Sequence, residues 1–409
     1  MAFEMDGDAC GRLNEYFEKR IGQHLQRPEQ RASFALYAFG LLSNAERKSV
    51  EPIAACATGD PDRCQGMHNR LLHFLGRGTW SDRPVRLEAA RYVIEAAAER
   101  GEKVGAWIFD DTGFLKQGTH SVGVKRQYTG SAGKIANCQV GVSLSIATCT
   151  EHVPIDFELY MPKEWVEDPK RMKKARCPEN LKFKTKIDLA LDMIGRACSA
   201  GIPGDVVLAD SGYGDSCEFR NAVRMFGLDY ALGIKAGTKV WLLDSRGRRR
   251  GDPIAVRDLG IKLGRSAFRR KTWREGTRSK LSSHFAFRRV KVAHDDGTEA
   301  ADREQVWLVM EWLEGDSKPT KFTLTTLPRR MTKKAIVRAL KERWRTERAY
   351  EELKGELGLD HFEGRTFPGW HHHVSVVLSC YAFLVAERMR RFPPSTGRAR
   401  STAALRLAA

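Results

Sequence analysis

The stretch WIFDDTGFLKQG, residues 107–118, decides the fold. It opens with a short apolar run, residues 107–109, which predicts a buried strand. Two adjacent carboxylates, Asp110 and Asp111, follow this run, and we expect the strand to end at them. Ionised carboxylates at the edge of an apolar core are costly unless they are paired or bind a metal. The stretch therefore predicts either a capped turn or a cation site at the tip of a strand.

A second apolar strand ending in an acid lies about a hundred residues further on, in DVVLADSGYGDS, residues 205–216. An amphipathic helix over 182–203 precedes it, and a helix and a strand follow it. The order of elements over 101–235 predicts an α/β layer with a mixed sheet. Because strand ends on one edge of such a sheet converge, we expect Asp210 to lie near Asp110 or Asp111. Two such acids can share a divalent cation such as Mg²⁺.

The flanking regions differ in character from this core. Residues 1–100 predict several short helices, which form either a DNA-binding domain or a plain helical packing domain. Residues 236–330 are basic and carry alternating segments, which predict an inserted β-rich domain. Residues 331–393 predict helices, among them a long charged one over 332–360 and a buried one over 374–386. Residues 394–409 predict a flexible tail.

Charge is the strongest global signal. The 409 residues carry a net charge of +18, and residues 241–300 hold 16 Lys and Arg against 7 Asp and Glu, or +9. Such clustering indicates a polyanionic partner such as DNA, although a basic protein without one is the alternative. No run of 18 apolar residues and no signal peptide is seen, so we expect a cytoplasmic protein without a membrane span. The nine scattered cysteines predict free thiols.

Two-metal phosphoryl transfer commonly needs a third acid. The predicted helix over 332–360 offers three glutamates, of which Glu347 has the best spacing. Arg343, Glu347 and Lys354 stand at i, i+4 and i+11, on roughly one face of a helix. Such a face can bind metal through the acid and phosphate through the cations. It can equally be an ordinary solvated face of ion pairs.

Three blocks of sequence, residues 110–148, 207–215 and 344–373, together resemble a known family. They read DDTGFLKQGTHSVGVKRQYTGSAGKIANCQVGVSLSIAT, VLADSGYGD and WRTERAYEELKGELGLDHFEGRTFPGWHHH. The chain resembles a DDE transposase of a bacterial insertion sequence, which has an RNase H-like catalytic core. More narrowly it resembles insertion sequence family 701, a relative of family 4.

The resemblance implies a catalytic and metal-binding triad of Asp111, Asp210 and Glu347. The ligand acid precedes a threonine in the family pattern, which selects Asp111, with Asp110 as the alternative. The related family carries Tyr-x2-Arg-x3-Glu-x6-Lys on the third helix, and Leu340 stands here at the tyrosine position. The family's β-rich insertion corresponds to residues 236–330. The implied cofactor is two Mg²⁺ ions, with Mn²⁺ as a substitute.

Further DNA contacts are expected beside the triad. Arg343 and Lys354 match the family's phosphate-binding positions. Lys116, Lys125 and Arg126 lie in a Gly-rich basic loop, which suits phosphate contacts or forms a simple turn. The three consecutive histidines at 371–373 cannot all face one ion on a helix, so we expect them to cap the final helix or to touch DNA, His372 in particular. Two tryptophans of the insertion, at 307 and 312, either stack on a flipped base or pack in the core.

The expected function is a DNA transposase. It would bind terminal inverted repeats, cut them with two divalent metals and transfer the 3′-OH to target DNA, acting as a homodimer in the bacterial nucleoid. One alternative is a domesticated DNA-binding protein that acts as a repressor or targeting factor. Another is a metal-dependent DNA endonuclease without strand transfer.

Overall fold

The computed structural model of the chain describes residues 7–59, 61–275, 280–293 and 304–392. The described residues form two compact units. The first unit draws on residues 1–104, 110–193 and 345–395, and the second on 105–109 and 194–344. The predicted tail at 394–409 lies outside the described residues, as do parts of the predicted insertion.

The described residues contain fourteen α-helices. In chain order they are α1 (Gly7–Glu15), α2 (Pro28–Leu42), α3 (Val50–Thr58), α4 (Pro61–Gly76), α5 (Asp82–Glu99), α6 (Lys163–Val166), α7 (Pro169–Lys174), α8 (Lys186–Ser199), α9 (Ser211–Gly214), α10 (Cys217–Met225), α11 (Val256–Leu263), α12 (Lys333–Lys341), α13 (Arg345–Gly355) and α14 (Phe367–Arg391). The helices predicted at both ends of the chain are therefore confirmed. No helix in the part of the chain that the structure describes is both long and apolar enough to span a membrane.

The strands of the described residues lie between residues 106 and 325. In chain order they are β1 (Ala106–Leu115), β2 (Lys125–Thr129), β3 (Lys134–Ala147), β4 (His152–Tyr160), β5 (Val206–Ala209), β6 (Asp229–Ile234), β7 (Lys239–Leu243), β8 (Arg249–Ala255), β9 (Arg269–Glu275), β10 (Lys280–Ala293), β11 (Val306–Trp312) and β12 (Lys321–Thr325). Strand β1 begins in the second unit and ends in the first, and helix α8 does the reverse.

Both units contain β-sheet. In the first unit, β3 pairs antiparallel with β2 on one side and with β4 along its later residues. In the second unit the strand order is β1-β5-β6-β12-β11-β10-β7-β8, with β9 paired to β10. The pairs β1–β5 and β5–β6 are parallel, whereas β6–β12 and the strands beyond it are antiparallel. The predicted α/β class with a mixed sheet is confirmed, and it is consistent with an RNase H-like core.

Helix α14 forms the centre of the first unit. It packs against α2, α4, α5 and β4, and most of its residues are buried. The apolar stretch over 374–386 predicted such a helix, because no polar face interrupts it. Its internal serines are satisfied locally, since Ser375 and Ser379 each donate to the carbonyl four residues earlier, at 2.7 and 2.8 Å.

A buried ion cluster joins α5 to β4 in the first unit. The Arg86 side chain is only 2% exposed, and its guanidinium lies 2.9 Å from Asp82 and 3.1 Å from Asp156. Glu158 lies at 4.0 Å from the same guanidinium and also contacts Arg83 at 3.1 Å. Buried charges of this kind are tolerated only when they are paired. The cluster therefore ties the N-terminal helices to the sheet of the same unit.

Two predictions about element boundaries were wrong. Strand β1 does not end at its acids but continues to Leu115, because residues 112–114 are buried and Lys116 N–H bonds the carbonyl of Asn137 at 2.9 Å. The long helix predicted over 332–360 is broken by a 3₁₀ turn, Glu342–Trp344. Before the break, Lys341 pairs with Glu311 at 2.7 Å. Lys116 and Lys341 thus each fix the chain next to one of the two deviations.

Candidate active site

The two acids of β1 lie side by side within the strand and are half-buried. Neighbouring side chains on a strand point to opposite faces, so the two carboxylates have different surroundings. The carboxylate of Asp111 is held by the ammonium of Lys186, with Nζ 2.9 Å from Oδ2. Asp110 Oδ1 accepts the backbone N–H of Asp111 at 3.0 Å. Lys186 thus places a cation on the Asp111 carboxylate.

Asp210 lies in the second unit, directly after the buried strand β5. It caps the short helix α9, where its Oδ1 accepts the N–H of Gly212 at 2.8 Å. The glycines of this motif permit close packing against β6. A Cβ on Gly214 would lie 2.1 Å from the carbonyl oxygen of Gly233, so no larger residue fits there. The motif therefore fixes both the backbone and the carboxylate of Asp210.

Glu347 lies in the first turn of α13, in the first unit, and its side chain is exposed. The helix beneath it is firmly held. Arg345 donates to the carbonyls of Thr148 at 3.0 Å and Cys149 at 3.1 Å, and Tyr350 OH lies 2.6 Å from Ser143 Oγ. Arg345 and Tyr350 thus fix α13 against β3 and β4, which leaves the Glu347 carboxylate pointing away from packed surfaces.

Lys354 ties the end of α13 to β1. Its ammonium donates to Thr112 Oγ1 at 2.8 Å, to the Gly113 carbonyl at 2.9 Å and to Ser131 Oγ at 3.2 Å. Burial lowers the pKa of this ammonium, and the nearby Asp360 carboxylate partly offsets that effect. Lys354 therefore holds the helix that carries Glu347 against Thr112, the residue that follows Asp111 on β1. In this structure the contacts of Lys354 are with the chain itself, whereas the phosphate contact implied by the family resemblance stays a prediction.

We expect the substitution Lys354→Met to lower the free energy of unfolding by about 1–3 kcal/mol, because it leaves partly buried acceptors on β1 without their donor. Urea unfolding of the full chain measures this change. Lys134→Met, at an exposed lysine of the same unit, is the matched control and should change stability little. An equal loss in the two variants would contradict the role assigned to Lys354.

The other cations predicted to contact DNA lie in different settings. Lys116 donates to the Phe362 carbonyl at 2.6 Å, and burial lowers its pKa, so it holds a loop in place. Lys125 is exposed and ion-pairs with Glu164, and Arg126 is exposed on β2. Arg343 is half-buried in the 3₁₀ turn and belongs to the second unit, not to the helix of Glu347. Of these cations, Lys125 and Arg126 are on the surface of the first unit.

The prediction that His372 contacts DNA was wrong. His372 is 3% exposed and stacks on Trp80 at a ring distance of 3.9 Å. Its two ring nitrogens lie 2.7 Å from the Leu75 carbonyl and 3.0 Å from the Trp80 carbonyl. The histidine tract runs along α14, which is buried on nearly all sides, and so it serves packing.

His373 shows the same structural role. Burial lowers its pKa to about 3, so the ring is neutral at physiological pH. Its Nε2–H donates to the Gly358 and Leu359 carbonyls at 3.2 Å, which leaves Nδ1 to accept from Tyr37 OH at 2.9 Å. These three contacts hold α14 against its neighbours.

Lys186 is the site residue that sequence reasoning missed. It stands in the first turn of α8, inside a basic run, KFKTK at 182–186, where no motif distinguishes it. Only the structure shows that its ammonium reaches the Asp111 carboxylate. Such a contact between distant segments has no local signal in the sequence.

The donor chemistry at the acids suits a hard divalent cation. The Asp111 carboxylate already holds a cationic group through Oδ2, and carboxylate oxygens are ligands that Mg²⁺ prefers. Among the residues that the structure describes, no three His, Cys, Asp or Glu side chains lie close enough together to form a ready-made metal site. All nine cysteines are free thiols.

A protein-family profile and a known transposase match parts of this chain. The sequence profile of the family described as DDE superfamily endonuclease matches residues 20–280. The probable transposase for insertion sequence element IS701 from Microchaete diplosiphon is 30% identical over 212 residues, which are 52% of this chain and 50% of that protein. The match thus spans half the length of this relative. The family match contains Asp111 and Asp210 but ends before Glu347, so the third acid depends on its own motif.

Proposed function

The chain belongs to the DDE superfamily endonucleases, and from this premise we propose that it is a DNA transposase of an insertion sequence. The IS701 relative supports a transposase over other endonucleases of the family, and the resemblance found in the sequence agrees with it. The substrates are the terminal inverted repeats of the element and a target DNA. Two protomers would act together, because two element ends must be joined to one target.

The observation that carries the proposal is the register of two parallel strands in the second unit. Residues 106–108 of β1 pair with residues 206–208 of β5, one to one. Two residues after each paired run the chain reaches an aspartate, Asp110 or Asp210, and Asp111 follows at once. Parallel strands in register deliver the residues that follow them to the same edge of a sheet. This supports assigning Asp210 and one acid of β1 to a single site, and the threonine that follows Asp111, as in the family pattern, favours Asp111.

Asp111, Asp210 and Glu347 would hold the divalent ions. When bound, such ions activate an attacking oxygen and stabilise the leaving oxygen of a phosphodiester. The three carboxylates would act as ligands and would not attack the DNA, so no covalent bond to the protein forms. Water would cut one strand at each element end, and the freed 3′-OH would then attack the target strand. Lys186, released from Asp111, would be placed to contact a phosphate oxygen.

We expect Lys186→Gln to tighten Mn²⁺ binding by about fivefold, because the ion no longer competes with an ammonium for Asp111. Calorimetric titration of the purified chain with Mn²⁺ measures the affinity directly. Lys184→Gln is the matched control, since Lys184 pairs with Asp192 on the same helix. Unchanged or weaker Mn²⁺ binding in Lys186→Gln alone would contradict the competition.

The products made from a supercoiled plasmid test the proposed function. The plasmid carries the DNA that flanks the gene, and the purified protein is added with Mg²⁺ or Mn²⁺. Cuts at the element ends followed by joining to new DNA identify a transposase. Cuts that are never joined favour the endonuclease. Retention of the DNA in a gel without cutting favours a domesticated binding protein.

A further inference from the structure

A cavity of about 500 Å³ lies wholly within the second unit. The turn after β7 forms one side, and β10, β11 and the segment after β12 form the others. Its lining residues are Leu243, Asp244, Ser245, Gly247, Arg288, Arg289, Gln305, Trp307 and Arg329. The cavity belongs to the basic, β-rich part of the chain.

Positive charge dominates this lining. It contains three arginines and one carboxylate. That carboxylate, on Asp244, is used by its own turn: it accepts the N–H groups of Arg246 and Arg248 at 2.9 Å and the Arg248 side chain at 3.1 Å. Burial lowers the pKa of Arg289, and the charge of Arg329 lowers it further. Like charges held together in a partly buried space are stabilised when an anion joins them.

Gln305 holds two of these guanidiniums in place. Its backbone carbonyl accepts from Arg289, and its side-chain oxygen accepts from Arg329 at 2.8 Å. The Gln305 amide in turn donates to the Gly247 carbonyl at 3.3 Å. Gly247 adopts a left-handed conformation, with φ of +77°, and a Cβ there would lie 2.3 Å from the Gln305 amide nitrogen. The arrangement is therefore built by the fold and is not a chance meeting of surface side chains.

Two buried N–H groups at this cavity have no acceptor among the described residues. They are Nε of Arg289 and the indole Nε1 of Trp307. The Arg289 guanidinium also lies over the Trp307 ring, 5.2 Å from its centroid, which covers one face of the ring. Buried donors left without acceptors are costly, so their presence indicates a missing acceptor. A tetrahedral oxyanion offers several acceptor oxygens to such converging donors.

We propose that this cavity is a phosphate-binding site that takes a backbone phosphodiester of the bound DNA. That the phosphate belongs to DNA rests on the proposed function. That the cavity binds a phosphate rests only on the guanidiniums and the two buried donors. Arginine forks match phosphate oxygens in geometry as well as in charge. The site would hold a strand outside the catalytic acids and so fix the register of the duplex without reading its sequence.

The salt dependence of DNA binding tests the proposal, without divalent metal so that cleavage plays no part. The probe is a fluorescein-labelled DNA duplex, and the variant is Arg329→Gln, whose exposed side chain can be changed without disturbing the core. Arg246→Gln is the matched control: Arg246 is an exposed arginine in the turn after β7, so the change removes the same charge from the same unit, but Arg246 does not line the cavity. We expect Arg329→Gln to weaken binding about tenfold and to reduce the salt slope by about one, with the control near wild type.

A second variant, Gly247→Ala, removes no charge but displaces Gln305, and it should weaken binding in the same direction. Equal effects of Arg329→Gln and Arg246→Gln, or none, would overturn the site. Inorganic phosphate tests whether the bound phosphate belongs to DNA. The DNA assignment would be overturned if phosphate raises the Tm of the wild type but not of Arg329→Gln, while Arg329→Gln leaves the salt slope of DNA binding unchanged. Failure of the wild type to cut DNA would contradict the proposed function but not the phosphate site, because these binding measurements do not depend on cutting.

Discussion

Replacing Asp210 by asparagine is expected to lower metal-dependent DNA cleavage by about a thousandfold, while DNA binding stays near wild type. The carboxylate follows β5 and is fixed by the Gly212 N–H, and asparagine can keep that bond. What the substitution removes is the negative charge that would hold a divalent ion. Loss of an ion that supplies several kcal/mol to a transition state costs at least this factor in rate. Initial rates of plasmid nicking, measured beside gel retention, give both quantities.

Asp192→Asn is the control for this prediction. Asp192 is an aspartate of α8 whose partner is Lys184, so its loss removes one surface ion pair. The control should cut DNA at nearly the wild-type rate. If Asp210→Asn also cuts at nearly the wild-type rate, Asp210 is not a metal ligand and the proposed triad fails.

Replacing Arg86 by methionine is expected to lower the free energy of unfolding by about 3–5 kcal/mol. Arg86 is 2% exposed, and the carboxylates of Asp82 and Asp156 lie against it. Methionine fills much of the volume but leaves these acids, and Glu158 beside them, without their central cation. Breaking a buried ion cluster by removing one partner costs more than deleting the whole cluster. Urea unfolding monitored by circular dichroism measures the loss.

Arg91→Met, on the same helix at an exposed position, is the control and should change stability by less than about 0.5 kcal/mol. The triple variant Arg86→Met, Asp82→Asn, Asp156→Asn removes two of the buried negative charges together with the cation. It should be more stable than Arg86→Met alone. A single variant as stable as the wild type would show that the cluster does not hold the helices to the sheet.

The architecture could be predicted where local pattern decides it. The apolar runs before Asp110 and Asp210, the N-terminal helices and the buried helix over 374–386 all have their own periodicity. The continuation of β1 to Leu115 could not be predicted, because its pairing with Asn137 depends on a segment twenty residues away. The break before α13 has the same origin, since Arg345 is anchored by carbonyls near residue 150.

The candidate site was predicted less completely than the fold. The family resemblance implied Asp111, Asp210 and Glu347, and this triad stays a prediction, but no pattern indicated Lys186. The histidine tract suggested exposed chemistry, and yet α14 buries His372 among backbone carbonyls. Whether a polar side chain faces solvent or the core depends on which elements cover it. That information lies in long-range packing, which short motifs do not contain.

Iron-directed cleavage of the polypeptide tests most directly whether the three acids form one metal site. Fe²⁺ replaces Mg²⁺ in the full-length protein, ascorbate and peroxide are added, and the fragments are mapped by mass spectrometry. We predict backbone cuts close to residues 111, 210 and 347 together, which excess Mg²⁺ suppresses and which Asp210→Asn abolishes. Cuts near only one of these positions, or cuts that Asp210→Asn leaves unchanged, would contradict a shared site.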